Sequence, residues 1–65
     1  MVVYVIDFEV DYEGGFCAAI ASSLDKAVAY CLEQGATSAD DTGLHFKAER
    51  SYGVEYYTIS EQPVL

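Results

Sequence analysis

The chain has 65 residues, 52% of them hydrophobic and 14% aromatic, and eleven Asp and Glu against three Lys and Arg set its formal net charge at -8. That length holds one domain, residues 1–65, with a modest core, and the apolar content excludes a disordered chain. The charge opposes direct binding to nucleic acid or an anionic membrane and favours a basic protein surface as partner, with solubility alone as the plain alternative.

The opening MVVYVIDFEV lacks a basic leading segment and a small-residue cleavage site, so a secretory signal is not expected and a cytoplasmic location follows. No stretch nears the roughly 20 apolar residues that span a bilayer. From Val3 onward Tyr4, Ile6, Phe8, Val10 and Tyr12 alternate with Asp7, Glu9, Asp11 and Glu13, which predicts a half-buried strand with one acidic side. Gly14-Gly15 then turns the chain into a second apolar run, FCAAIA, and a hairpin results. A three-residue loop from Glu13 to Gly15, with Gly15 left-handed, sets Tyr12 opposite Phe16, Val10 opposite Ala18 and Phe8 opposite Ile20. In that register every large apolar side chain shares one face, and Cys17, Ala19 and Ala21 stand beside the acids.

Ser22-x-x-Asp25 approximates a capping box and predicts a helix start. Leu24, Ala27, Val28, Cys31 and Leu32 form one apolar stripe suited to cover the hairpin, and Gly35 is placed as the left-handed stop. ATSADDTG, residues 36–43, reads as a mobile loop carrying Asp40 and Asp41. Leu44, Phe46 and Ala48 alternate with His45, Lys47 and Glu49 as a third strand, Ser51-Tyr52-Gly53 turns, and VEYYTIS forms a fourth with either Tyr56 or Tyr57 facing inward. The tail EQPVL is expected to fray. The fold class is α+β: ββαββ, a four-stranded antiparallel sheet with one helix packed on one face.

Alternate strand residues lie about 6.6 to 6.8 Å apart, so the four carboxylates Asp7, Glu9, Asp11 and Glu13 span roughly 20 Å. This row is sparser than a nucleic-acid strand, with one charge per about 3.4 Å, and Asp40 and Asp41 are candidates to supplement it. Grouping four acids without a lysine sets up repulsion that a mixed surface avoids, which favours a function for the row over plain solvation. Tyr52 and Tyr57 are candidate contacts for an arginine-rich partner, through stacking and hydroxyl hydrogen bonds.

Catalysis is not expected, because an exposed strand offers no pocket to push two carboxyl pKa values apart. Nor is a metal or other cofactor: side chains diverging from one strand cannot enclose an ion, and Cys17 and Cys31 lack zinc or redox spacing. Both cysteines read as small buried thiols and His45 as a solvent-facing strand residue.

In size, charge and single-domain plan, with DFEVDYE as its most specific stretch, the chain resembles small acidic phage-encoded inhibitors, especially anti-CRISPR proteins, some of which are DNA mimics. The resemblance implies binding to a basic surface of a CRISPR effector, a type I, Cascade-type subunit in first place, in the host bacterial cytoplasm, so that target DNA is not recognised. It carries no motif and assigns no residue. A self-associating regulatory or structural module, working through a sheet edge or its tyrosines, and an immunity-type protein neutralising a basic nuclease stand as alternatives. On charge alone a monomer is favoured.

Overall fold

A computed structural model describes residues 1–10 and 14–64. Its elements are β1 (Val2–Val10), β2 (Gly14–Ala21), α1 (Leu24–Glu33), β3 (Thr37–Ser38), β4 (His45–Arg50) and β5 (Gly53–Pro63). The strands form one antiparallel sheet in the order β2-β1-β5-β4-β3. The α+β class holds, with five strands in place of four. The added strand, β3, lies in the expected loop, where Thr37 and Ser38 pair with Lys47 and Phe46.

The expected tail is strand instead. β1 and β5 pair over their lengths, from Val2 opposite Pro63 to Val10 opposite Glu55, and Val64 N–H donates to the Met1 carbonyl at 3.0 Å. Eleven residues of β5 reach roughly 36 Å at ~3.3 Å each, which accounts for the molecule's long dimension of 39 Å. The ten-residue helix covers only about 15 Å of that length.

The hairpin register also departs from expectation. Phe8 stands opposite Phe16 and Val10 opposite Gly14, and a bulge at Ala18 shifts the pairing so that Ile6 meets Ala19 and Tyr4 meets Ala21. Gly14, not Gly15, is the left-handed glycine, at φ 73°. The extra residue lets Phe16, Ala19 and Ala21 all turn toward the helix side, and it turns Ile20 out to the opposite face beside Val5. Steric room explains the choice: a Cβ on Gly15 would lie 2.6 Å from the Phe8 carbonyl oxygen and from Glu9 Cγ, so only glycine fits opposite Glu9. Gly15→Ala is therefore expected to lower stability by about 1–3 kcal/mol, the usual cost of overpacking, as a drop in thermal midpoint. An unchanged midpoint would contradict this register.

Ser23 caps the helix, accepting from Lys26 N–H at 3.3 Å, one residue later than the expected Ser22. The C-terminus closes as foreseen at Gly35, φ 83°, in a Schellman arrangement: Ala36 N–H donates to Cys31 O at 3.2 Å and Gly35 N–H to Leu32 O at 3.0 Å. Of the apolar stripe, Ala27 and Cys31 are fully buried and Val28 is half-buried, whereas Leu24 and Leu32 are exposed. Cys31 and Ala36 join Ile6, Phe46, Tyr57 and Ile59 in the core beneath the helix. Across β2, β1 and β5 an aromatic row continues it, with Phe8 ring centroids 5.2 Å from both Phe16 and Tyr57.

Among the described residues one charged side chain enters this core. Glu55 is buried; it accepts from Arg50 Nε at 3.0 Å and from the Tyr52 hydroxyl, while Arg50 Nη2 donates to the Gln34 carbonyl at the helix C-terminus. The guanidinium thus places positive charge at the negative end of the helix dipole, where the last turn of α1 has no basic residue of its own.

Candidate partner-binding face

β1 alternates because its even residues meet the helix. The odd ones therefore stand on the uncovered face, where Asp7 and Glu9 are exposed beside buried Ile6 and half-buried Phe8. Strand pairing builds two rows there. One runs Cys17, Asp7, Thr58, His45 from β2 to β4, the other Gly15, Glu9, Tyr56, Lys47. Asp7 and Glu9 make no ion pair with a described residue. Together with Phe8, Gly15, Phe16 and Thr58 they border a hollow of about 350 Å³.

Lys47 sits on this face of β4 between His45 and exposed Glu49, two strand spacings or about 9.5 Å from β1. The face is thus acidic along β1 and mixed in charge along β4. Asp11 and Glu13 lie outside the described residues.

Asp40 and Asp41 do not extend the acidic row. They lie on the β3–β4 connection, on the far side of β5 and β4 from Asp7. Asp40 is held in place there: its Oδ1 accepts from the Thr42 hydroxyl at 2.7 Å and from Thr42 N–H at 3.0 Å, and its Oδ2 lies 2.8 Å from His45 Nδ1. The Thr42 hydrogen bonds, helped by His45, hold its carboxyl below the ordinary value of 3.8. The segment expected to be a mobile loop is thus tied both to itself and to β4.

The tyrosines divide differently from expectation. Tyr57 is 5% exposed and packs in the core, where burial pushes its hydroxyl above the ordinary pKa of 10.0. Tyr52 is exposed on the β4–β5 turn, at the same end of the sheet as the β1–β2 connection, but its hydroxyl is engaged by Glu55. Tyr56, absent from the sequence-based set, is the exposed tyrosine of the outer face, between Glu9 and Lys47. The signal for it is the spacing of Tyr57 and Ile59, which fixes both inward and leaves Tyr56 outward. Cys31 is buried as expected, while Cys17 is exposed beside Asp7.

Among the described residues no three His, Cys, Asp or Glu side chains group to hold a metal ion, and no helix is long and apolar enough to cross a membrane. No family model, no curated protein and no solved structure matches the chain. The face itself, then, is what bears on function. It offers unpaired carboxylates, an adjacent tyrosine and no enclosed cleft, an arrangement suited to holding cationic side chains of another protein.

Proposed function

We propose that this chain is a non-enzymatic inhibitor that binds the basic surface of a nucleic-acid-binding protein through the β1 side of its outer sheet face. A CRISPR effector of the Cascade type, whose target DNA it would exclude, is the first candidate. The observation that carries the reading is the pair Asp7 and Glu9, exposed on an uncovered face without an ion-pair partner among the described residues. In sequence Asp11 and Glu13 follow β1 directly. Tyr56 beside Glu9 supplies an aromatic surface for arginine.

Each exposed ion pair contributes about 0.2–1 kcal/mol, so changing Asp7, Glu9, Asp11 and Glu13 to Asn or Gln should weaken binding to such a partner about thirtyfold. Affinity should fall in parallel as salt rises, since screening shortens from about 8 Å at physiological ionic strength to about 3 Å at 1 M. Titration calorimetry across salt concentrations checks both. Full affinity in 1 M NaCl, or in the neutralised variant, would end the proposal.

A further inference from the structure

β2 is an edge strand, and among the described residues nothing lies beyond it. Its outward backbone groups form an open template for another strand. The segment carries Phe16 and Ile20, 65% and 64% exposed, and neither Asp, Glu, Lys nor Arg. Between β2 and α1 runs a groove of about 580 Å³, floored by Ala19 and Ala21 and walled by Lys26, Ala29, Tyr30 and Glu33. We propose that this edge and groove receive the β2 strand of a second copy of the chain, antiparallel about a two-fold axis, joining two sheets into one.

The occupant follows from symmetry. Because of the bulge at Ala18, Phe16 and Ala21 face the helix side and Cys17 and Ile20, just inside them, face the outer side, with Ala18 and Ala19 between, so these four positions read the same from either end. An antiparallel copy centred between Ala18 and Ala19 matches the faces of all four. It sets Phe16 of each copy opposite Ala21 of the other, a large side chain against a small one beside the groove, and Cys17 opposite Ile20. A regular strand without the bulge could not be centred between two residues, since opposed side chains would point to opposite faces.

Charge agrees with this register. On the helix, Lys26, Ala29, Tyr30 and Glu33 are symmetric about the midpoint of Ala29 and Tyr30, which lies about 8 Å along α1 from Leu24. The centre of the strand register lies about 8 Å back along β2 from Ala21. An axis passing both midpoints brings Lys26 of one copy toward Glu33 of the other, twice. Among the described residues of the single chain, Lys26 Nζ meets only the neutral Ser22 hydroxyl, at 3.1 Å. The β1 acids of the two copies stand three strand spacings apart, about 14 Å, beyond the physiological screening length of about 8 Å. A chain of net charge -8 thus meets its copy along a strand that has no charged side chain. Both outer faces stay open, so the inference stands apart from the partner proposed above.

Sedimentation equilibrium over micromolar concentrations should give a dimer. Lys26→Glu should raise its dissociation constant about tenfold by setting like charges across both contacts. Adding Glu33→Lys to that variant should restore it, and both changes suit the helix dipole, so folding is retained. Under oxidising conditions Ile20→Cys should lock the dimer through Cys17, because directly opposed residues have Cα atoms about 4.5–5.5 Å apart, within disulfide range. Adding Cys17→Ser should abolish the lock. A monomer at every concentration overturns the proposal; so does a dimer that the charge reversal leaves unchanged and that the cysteine pair does not lock.

Discussion

Ile6→Ala is expected to remove about 3–4 kcal/mol of folding stability, within the range for truncating a buried aliphatic side chain where the cavity cannot close. Ile6 is fully buried at the middle of β1, with Ala19 opposite on β2, Ile59 opposite on β5, and Ala27 and Cys31 of the helix in the same cluster. Two of these neighbours are alanines, which have no side-chain atoms to swing into the vacated space. A chain of 65 residues at about 0.05–0.15 kcal/mol per residue has roughly 3–10 kcal/mol in all, so the variant should be largely unfolded or close to its midpoint at room temperature. Urea unfolding followed by circular dichroism measures it. Leu32→Ala, at a position 55% exposed on the same helix stripe, should cost under about 1 kcal/mol. Equal losses at the two positions would mean that the helix is seated on the sheet through a different face.

That contrast marks where sequence patterning stopped being informative. The alternation Tyr4, Ile6, Phe8 against Asp7 and Glu9 names the inner and outer faces of β1, and Phe46 with Ala48 does so for β4, because period-two burial is a local property. Gly35 announces the helix end for the same reason: a left-handed residue is needed there and glycine supplies it. The β2 register was not legible, since a bulge leaves no mark in FCAAIA, and the decisive fact is the absence of room for a Cβ opposite Glu9, which exists only once the strands are paired. The stripe was too wide for the same kind of reason. A ten-residue helix on a sheet twice its length buries Ala27 and Cys31 and leaves Leu24 and Leu32 at its flanks. The tail became strand because β1 extends to Val2 and needs a partner along its whole length, a nonlocal demand met by Glu61 to Pro63. Of the candidate site, Asp7 and Glu9 came straight from alternation; the separation of Asp40 and Asp41 from them depends on strand order, which no local pattern encodes.

Glu55→Ala is expected to cost about 2–3 kcal/mol, because it deletes a buried acceptor of two charge-assisted hydrogen bonds, from Arg50 and Tyr52. The loss should extend past the β4–β5 turn: with Glu55 gone, Arg50 loses the group that aims its guanidinium at the Gln34 carbonyl, and the end of α1 loses its positive cap. Amide exchange at Gly35 and Ala36, whose N–H groups close the helix, should quicken along with that at Val10, opposite Glu55. The acid limb of stability separates this network from simple packing. The Tyr52 hydroxyl and then Arg50 hold the Glu55 carboxyl below its ordinary value of 4.5. The folded state thus binds that proton less readily than the unfolded one. Its stabilisation is fully present above pH 4.5 and fades as pH falls through the lower folded value. Glu55→Gln retains the shape and has no such carboxyl to titrate, so its stability should change less between pH 5 and pH 3 than that of the wild type, with Asp40 left as a contributor at the acid end. Chemical denaturation at stepped pH reads the difference directly. Parallel curves for the two proteins would show that Glu55 contributes no ionised hydrogen bonding to the fold, and the link from the β4–β5 turn to the helix terminus would then rest on packing alone.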